Sequence, residues 1–453
     1  MTYSFDKSIL RGYDVRGIYG KTLHNEDAYQ AGRCLASCVN AGDTIAIGYD
    51  YRGSGKILLE RMSAGIRSMN VNVVILGIVP TPAVYYAVRT HSEFAGGVMI
   101  TGSHNPLEYN GFKMLLRDRE ISGSALSAFF DVAHALPESM AVEGQERQYS
   151  VLGEYTSFLQ RHLDYDAFSQ KSILWCTAGG VTEEVLRNLI PEMPGRHELL
   201  IPPKDSRAPD PLGAENREYI KAALTDVKAD LAFAFDGDGD RCVMFDSQGN
   251  SVLADKIFLF LANEFLKTTP GSVFVVDSKI AFSLEAIVQN GGGRLISVPT
   301  GHTNIKAAMR TSNAVLGAEM SGHYFFCYGG GYAFDDGVYA AIQIINKIGA
   351  CTWEAVCEES APLWITEEIR IFVTEKEKAE VRSALNRGAH RCEEVAGGAE
   401  RYMFRDGLIF LRSSRTEDVV SVRAEGFSQK GFKEVRDRLG EILRVILGRD
   451  MAL

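Results

Sequence analysis

Residues 231–241 read Leu-Ala-Phe-Ala-Phe-Asp-Gly-Asp-Gly-Asp-Arg, an apolar run that ends in three carboxylates spaced by single glycines. The apolar half predicts a buried β-strand. Because aspartate side chains are short and glycine adds no bulk, the backbone after this strand can curl until all three carboxylates face one hard cation. Arg241 places a positive charge beside them. The stretch therefore predicts a strand of an α/β fold that ends in a Mg²⁺ site formed by Asp236, Asp238 and Asp240.

This acidic loop has two alternative interpretations. Asp and Gly are common in solvated turns, although a plain turn does not need three alternating carboxylates followed by an arginine. Ca²⁺ is the other candidate ion, but the loop lacks the twelve-residue spacing and the terminal glutamate of an EF-hand. We therefore expect Mg²⁺.

Alternating helix and strand patterns organise most of the chain. They recur in three successive segments, whereas the last segment mixes strands and helices as an α+β domain does. A chain of 453 residues is also too long for one hydrophobic core, and several domains imply a cleft between them. The predicted fold class is α/β, with three related α/β units that contain mixed sheets and a smaller α+β C-terminal domain. The expected domains cover residues 1–147, 148–250, 251–364 and 365–453.

The composition argues against several classes of protein. Apolar residues make up 46% of the chain and charged residues 23%, and no apolar stretch is long enough to span a membrane. The net charge of −10 argues against nucleic acid as a partner, because phosphate backbones are held by basic surfaces. The eight cysteines form no CxxC pair and are expected to be reduced. Since the N-terminus lacks a secretory signal, we expect a cytoplasmic protein.

A second polar loop, Thr101 to Pro106 (TGSHNP), follows the apolar run Gly97 to Ile100. Ligands bind at the carboxyl ends of strands in open α/β sheets, so Ser103 is placed to act as a nucleophile. His104 could accept its proton, although adjacent residues seldom present their side chains in that geometry. Alternatively, Ser103 caps the N-terminus of a helix, as serine often does. The residues alone leave both roles open.

Taken together, the two loops resemble those of the α-D-phosphohexomutase family. Four further motifs follow in the family's order and approximate spacing: YDVRG at 13–17, YNGFK at 109–113, TGH at 300–302 and GAEMSGH at 317–323. The resemblance spans nearly the whole chain. It implies three α/β domains and a smaller C-terminal domain around one central cleft, in agreement with the pattern of helices and strands.

The resemblance implies chemical roles for the residues of these motifs. Ser103 is the implied phosphoserine, and its phosphate joins the three aspartates as a metal ligand. These anions outweigh Mg²⁺ by roughly three charges, so nearby cations are required. Arg16, Lys113 and Arg241 lie in the matching motifs and can supply them. Lys113 is the implied general base and acid, which requires a depressed pKa; the alternatives are a histidine as the base and Lys113 as an electrostatic clamp.

The resemblance also implies two groups of binding residues. One group lies near the sugar and grips hydroxyl groups: Glu319, Ser321, His302, His323 and Lys279. Either histidine could instead be a hydrogen-bonded core residue. The other group binds the phosphate that is not transferred: Arg412, Ser414, Arg415, Thr416 and Arg423. Arg415 replaces the family's usual Gly or Asn and Asp418 its usual Pro, which leaves the individual contacts open, and Arg423 could simply face solvent.

The implied enzyme is an isomerase that interconverts the 6-phosphate and the 1-phosphate of mannose or glucose through a hexose 1,6-bisphosphate. The motif with Met320 resembles that of members acting on both sugars, whereas glucosamine-phosphate members more often carry Gln at this position. Phosphoglucosamine mutase is therefore the near alternative. A non-catalytic sugar-phosphate sensor and a simple phosphatase are more distant ones. The expected partners are small sugar phosphates, and the expected assembly is a monomer or a homodimer.

Overall fold

The computed structural model describes residues 5–122, 124–137, 140–203, 208–328, 332–395, 398–413 and 419–448. The chain divides into two compact units. The first consists of Met1–Val252, Gly301–Lys306 and Ser321–Trp353, and the second of Leu253–Thr300, Ala307–Met320 and Glu354–Leu453. None of the helices in the described part of the chain combines the length and the apolar character that a membrane crossing requires.

The first unit begins with a mixed sheet and its helices. The elements are β1 Val15–Ile18, α1 Asn25–Ala36, β2 Thr44–Tyr49, α2 Gly55–Arg67, β3 Asn72–Ile78, α3 Thr81–Thr90, β4 Phe94–Ile100, β5 Tyr109–Leu116, α4 Ser124–Asp131 and β6 Glu146–Gln148. The strand order is β1-β5-β4-β2-β3-β6. β2 and β4 are parallel neighbours, while β5 runs antiparallel to β4.

The position of the polar loops follows from this sheet. β2 and β4 are almost entirely buried, as expected for central strands that are covered on both faces. In the register of the pair, Tyr49 lies opposite Ile100, so both strands end at the same edge. Residues 50–52 and 101–103 therefore leave the sheet side by side.

A second sheet and its helices make up most of the remainder of the first unit. Its elements are α5 Leu152–Gln160, α6 Tyr165–Ser169, β7 Ser172–Cys176, α7 Thr182–Leu189, β8 Arg196–Leu200, α8 Ala214–Val227, β9 Leu231–Phe235 and β10 Cys242–Phe245. The order is β10-β9-β7-β8, with β7 parallel to both β8 and β9 and with β10 antiparallel to β9. β9 is fully buried, as predicted for its apolar run. The glycine-spaced aspartates form the turn from β9 to β10.

The following segment contributes to both units. Its elements are α9 Ala254–Thr268, β11 Val273–Asp277, α10 Ser283–Asn290, β12 Arg294–Val298, α11 His302–Ser312, β13 Leu316–Ala318, β14 Tyr324–Tyr328, β15 Tyr332–Asp335, α12 Gly337–Ile348 and α13 Trp353–Glu359. Within the second unit, β11 pairs in parallel with β12 and β13. Within the first unit, β14 and β15 form an antiparallel hairpin, and Asp336 caps α12 by accepting the Tyr339 N–H at 2.9 Å.

The remainder of the second unit is an antiparallel sheet with two long helices. Its elements are β16 Trp364–Ile365, β17 Ile369–Phe372, α14 Glu375–Gly388, β18 Arg391–Val395, β19 Ala399–Phe404, β20 Gly407–Ser413, β21 Val419–Gly426 and α15 Gln429–Leu447. The strand order is β16-β21-β20-β19-β18, and β17 also pairs with β21. The predicted fold class, α/β units with mixed sheets and an α+β C-terminal segment, is confirmed. The three boundaries between the four expected domains stay predictions.

Candidate active site

Ser103 lies in the turn between β4 and β5 and is 2% exposed. Its Oγ donates a hydrogen bond to Asp236 Oδ2 at 2.8 Å. The backbone φ of 48° is left-handed, a conformation that costs a non-glycine residue about 1 kcal/mol. No helix begins within the fully described turn 101–108, which excludes the helix-capping alternative. The turn instead presents the serine hydroxyl to a carboxylate.

The approach of the serine turn to the aspartate turn depends on Gly237. A Cβ atom at this position would lie 2.5 Å from the carbonyl oxygen of Ser103, well inside van der Waals contact. Only glycine permits this distance without moving one of the turns. The glycine spacing that suggested a curled backbone thus also allows the two turns to meet.

The three aspartates of the β9–β10 turn form a compact, buried cluster. Each carboxylate offers an oxygen within 4.8 Å of the others. Burial and the carboxylates of Asp238 and Asp240 raise the pKa of Asp236 to about 7. Asp238 Oδ1 is buried and has no hydrogen-bond partner among the described residues. A set of hard oxygen donors with an unsatisfied buried acceptor suits a divalent cation, so the residues present fit a metal ion.

Lys113, on β5, directs its ammonium group at this cluster. Its Nζ donates to Asp238 Oδ2 at 2.6 Å and also to Asp240 Oδ2. Burial by itself would lower the pKa of Lys113, but the neighbouring carboxylates raise it above its ordinary value. The depressed pKa expected for a general base is therefore wrong for this arrangement. The contacts favour the alternative role, that of a charged clamp.

His104 lies next to the serine hydroxyl, with Nδ1 3.2 Å from Ser103 Oγ. Burial and the positive charges of Arg241 and Arg16 lower the pKa of His104 well below its ordinary value. The ring is therefore neutral near pH 7, and the burial and positive charges that keep it neutral also make it a weak base. The left-handed backbone at Ser103 turns the two neighbouring side chains toward each other, an arrangement that adjacent residues seldom reach.

His323 connects the aspartate cluster to a second hydroxyl group. Its Nε2 lies 3.1 Å from Asp240 Oδ1, and its Nδ1 lies 2.9 Å from Ser321 Oγ. The ring is 5% exposed. The structure thus brings two predicted sugar-site residues, Ser321 and His323, to the aspartate cluster.

Two arginines flank the contact between the serine and the aspartates. Arg16 Nη1 donates to the Gly102 carbonyl at 2.8 Å and to Asn105 Oδ1 at 2.5 Å. Arg241 Nε lies 3.6 Å from Asp236 Oδ2. Arg16 is also paired with Asp14, and the predicted part of both arginines in charge compensation stays a prediction.

His302 begins α11 and is 6% exposed. Its Nδ1 lies 3.4 Å from Glu120 Oε2, and its ring centroid lies 6.4 Å from that of His323. Tyr13 meets the ring edge-on at 5.5 Å between centroids. His302 therefore joins the same group of residues, and its contact with a sugar stays a prediction.

Several residues of this group were missed from the sequence: Asp50, Arg52, Thr81, Glu120, Lys306 and Asp335. Thr81 Oγ1 donates to Asp238 Oδ2 at 2.5 Å. Lys306 Nζ pairs with Glu120 and Asp335, each at 2.6 Å. A signal existed for Asp50, which directly follows β2 at the edge used by the serine turn. Proline after Thr81 is typical of a first helical turn, but no pattern connected that helix to the aspartates.

Four described candidates belong to the second unit: Glu319, Lys279, Arg412 and Arg423. Glu319 follows β13 and is 3% exposed. Lys279 Nζ pairs with Glu368 Oε2 at 3.2 Å, and Arg412 lies near the end of β20. The binding roles of Glu319, Lys279 and Arg412 stay predictions. Ser414, Arg415 and Thr416 lie outside the described residues.

Arg423, on β21, does not take its predicted role. Its Nη1 and Nη2 donate to Asp255 Oδ1 and Oδ2 at 2.9 and 2.6 Å. Its remaining hydrogen bonds reach the carbonyl oxygens of Thr366 at 2.9 Å and Lys279 at 2.8 Å. Arg423 is 4% exposed and Asp255 is fully buried. The prediction that Arg423 binds phosphate is wrong, because its guanidinium neutralises a buried carboxylate.

Replacing Arg423 with methionine is expected to lower the free energy of unfolding by about 3–5 kcal/mol, because Asp255 would keep a buried charge without its partner. Chemical denaturation of the full-length protein measures this loss. The double variant Arg423→Met/Asp255→Leu should recover a large part of it. A single variant of wild-type stability with a raised KM for sugar phosphate would restore the phosphate role.

A serine held against buried carboxylates and flanked by lysine and arginine defines a site suited to metal-assisted phosphoryl transfer. The phosphoglucomutase/phosphomannomutase models for α/β/α domain I, α/β/α domain III and the C-terminal domain match residues 7–128, 254–358 and 368–442. The chain belongs to this family, the α-D-phosphohexomutases. The protein is accordingly an enzyme of the isomerase class.

Individual relatives agree with this placement. A phosphomannomutase/phosphoglucomutase of Pseudomonas putida is 32% identical over 440 residues, which cover 95% of this chain and 94% of the relative. A phosphoglucomutase of Neisseria gonorrhoeae is 30% identical, with 97% of each chain covered. The crystal structure of a phosphoglucomutase/phosphomannomutase family protein from Burkholderia thailandensis is similar with a TM-score of 0.82, 29% identity and 99% of each chain covered.

Proposed function

We propose that this protein interconverts hexose 6-phosphate and hexose 1-phosphate, with mannose and glucose as the sugars. Ser103 carries the phosphoryl group between them, and hexose 1,6-bisphosphate is the intermediate and activator. The observation that carries the proposal is the 2.8 Å hydrogen bond from Ser103 Oγ to Asp236, which places a nucleophilic oxygen at the edge of the aspartate cluster. The names of the P. putida and N. gonorrhoeae relatives support these two sugars.

The proposed cofactor is Mg²⁺, held by Asp236, Asp238, Asp240 and the phosphate on Ser103. A hard divalent ion in this position polarises the phosphoryl group and neutralises charge that builds up during transfer. The site then combines three carboxylates with a dianionic phosphate. Lys113, Arg16 and Arg241 are close enough to share the task of charge compensation.

The first half-reaction transfers the phosphoryl group from Ser103 to a sugar hydroxyl. The bond between phosphorus and Ser103 Oγ breaks while a bond from phosphorus to the sugar oxygen forms. The sugar hydroxyl loses its proton to a base, and the leaving Ser103 oxygen takes up a proton and becomes a hydroxyl. Lys113 carries a proton already, and the lowered pKa of His104 makes that ring a weak base, so His323 is the candidate base. In the second half-reaction the bisphosphate, turned around, returns its other phosphoryl group to Ser103.

Hydroxyl recognition must tolerate both orientations of the intermediate. Glu319 and Ser321 are the proposed ligands of the sugar hydroxyls, because a carboxylate can accept two hydrogen bonds without discriminating every ring position. Arg412 is proposed to hold the phosphate that is not being transferred, together with the loop that follows it. A monomer or homodimer in the cytoplasm stays the expected state.

Initial rates with three sugar phosphates test the substrate class. Mannose 1-phosphate and glucose 1-phosphate are expected to react at rates within about tenfold of each other, because the two proposed ligands grip hydroxyls rather than a distinguishing charge. Each rate is measured by coupled assay at matched bisphosphate concentration. A clearly faster reaction of glucosamine 1-phosphate would instead make the protein a phosphoglucosamine mutase.

Intact-mass spectrometry separates the enzyme from a sugar-phosphate sensor or a phosphatase. We expect a phosphorylated fraction in the purified protein that disappears after phosphatase treatment and returns on incubation with hexose 1,6-bisphosphate. Peptide mapping should place the group on Ser103. Protein that binds the bisphosphate but never gains mass would support the sensor.

A further inference from the structure

Arg52 makes contacts that the proposed chemistry does not use directly. It follows β2 and is 5% exposed. Its Nη1 donates to the carbonyl oxygens of Pro106 at 2.5 Å and Tyr109 at 2.9 Å. Its Nη2 donates to the carbonyl oxygens of Ser103 at 2.6 Å and Asn105 at 2.7 Å. Four carbonyl groups, three of the serine turn and one of the first residue of β5, thus converge on one guanidinium.

The remaining N–H of Arg52 completes the set. Nε donates to Asp50 Oδ2 at 3.1 Å, so all five donors of the guanidinium are used. The same Asp50 oxygen accepts the Thr101 hydroxyl at 2.7 Å and the Gly102 N–H at 3.3 Å. Arg52 and Asp50 together therefore bind both the amide and the carbonyl groups of the serine turn.

The turn is built closely around this guanidinium. A Cβ atom at Gly102 would lie 2.3 Å from Arg52 Cζ, so any larger residue there would displace the side chain. The next residue, Ser103, has the left-handed φ of 48°. A strained serine conformation persists only where the surrounding structure holds it in place. Here Arg52 holds it by donating a hydrogen bond to the carbonyl group of Ser103 itself.

We propose that Arg52 is the positioning residue for the Ser103 hydroxyl in phosphoryl transfer, an inference that rests on the proposed function. By fixing both sides of the turn to the end of β2, Arg52 keeps Oγ directed at Asp236 in both half-reactions. The serine turn then stays in place, and the bisphosphate is the part that moves. The competing explanation is that Arg52 supports the fold without any special effect on the serine.

Arg52→Lys tests the proposal while keeping the positive charge. An ammonium group has three donors around a point charge and cannot reproduce a planar fork that reaches four carbonyl groups. We expect kcat to fall by about a hundredfold, because a small misplacement of a reacting group has an effect of this size. KM for sugar phosphate should stay within about twofold, since the sugar ligands lie in other segments.

Arg33→Lys is the matched control. Arg33 is also buried and also holds backbone carbonyl groups, those of Leu136 at 3.2 Å and Pro137, together with Gln30 Oε1 at 2.7 Å. None of these contacts involves the serine turn. We expect this variant to lose thermal stability with an unchanged kcat. If Arg52→Lys and Arg33→Lys lose similar amounts of melting temperature but only Arg52→Lys loses kcat, Arg52 positions the serine and does more than support the fold.

A second variant removes the side chain altogether. In Arg52→Ala, added guanidinium chloride at millimolar concentration is expected to restore part of kcat, whereas ammonium chloride at the same concentration is not. The proposal is overturned if Arg52→Lys keeps wild-type kcat, if it loses no more kcat than Arg33→Lys, or if it does not fold. Ser103→Ala is measured in parallel: if that variant stays active, the proposed function itself has failed.

Discussion

Ser103→Ala is expected to lower kcat for the interconversion of hexose phosphates by at least about a thousandfold, because the variant lacks the hydroxyl that carries the phosphoryl group. The loss follows from one contact: Ser103 Oγ lies 2.8 Å from Asp236 Oδ2, at the edge of the aspartate cluster. The measurement is a coupled assay combined with transfer of labelled phosphate from hexose 1,6-bisphosphate to the protein. Both signals should disappear together.

Ser37→Ala is the control for this variant. The Ser37 hydroxyl donates to the carbonyl oxygen of Cys34 at 2.7 Å at the end of α1 and takes no part in the aspartate cluster. We expect wild-type kcat and normal labelling from this change. If Ser103→Ala kept near-normal turnover, covalent transfer through Ser103 would be excluded, whatever the fate of the metal.

Removal of the divalent cation is expected to abolish turnover, with full recovery on addition of Mg²⁺. Asp238→Asn should raise the Mg²⁺ concentration for half-maximal activity by at least about tenfold, because the buried Oδ1 of Asp238 loses its negative charge. Since a ligand that binds only the folded protein stabilises it, Mg²⁺ should raise the melting temperature of the wild type more than that of the variant.

Asp246→Asn provides the comparison for the metal prediction. Asp246 lies after β10 and accepts hydrogen bonds from the backbone of Gln248 at 3.0 Å and Asn250 at 2.8 Å. It is an aspartate whose hydrogen bonds lie within its own turn. Its Mg²⁺ dependence should match the wild type. Activity that is indifferent to a chelator would remove the metal assignment but would leave the role of Ser103 untouched.

Local patterns predicted the elements that carry their own periodicity. The strand Leu231–Phe235 has the bounds of the apolar run that predicts it. The helices α3, α9 and α12 were not identified. α3 begins at Thr81-Pro82, and α9 and α12 are apolar on most faces. A helix buried on most sides lacks the polar stripe from which helical spacing is read.

The candidate site shows the same division between local and distant information. Ser103, His104 and the three aspartates stand beside strand ends in the sequence, so their proximity follows from the rule that ligands gather at such ends. Lys113 was identified, but the direction of its pKa shift was not. That shift depends on two carboxylates that are 125 and 127 positions away in the chain.

The partner of Arg423 is the clearest example of a contact that the sequence does not predict. In the sequence it stands two positions after Ser421 on a predicted strand and looks available for phosphate. Its partner Asp255 is 168 residues distant, and nothing near Arg423 indicates that this carboxylate will be buried against it. Burial makes the pairing compulsory, because an isolated charge in the interior is too unfavourable to persist.

The sequence by itself determined the α/β class, the family resemblance, the serine turn and the glycine-spaced aspartates, because each of these is written in neighbouring residues. Only the tertiary structure decided which charges neutralise which. It paired Lys113 with the aspartates, Arg423 with Asp255, and Arg52 with the carbonyl groups of the serine turn. Such pairings follow from burial and the directions of side chains across strands that are distant in the chain, and local spacing records neither.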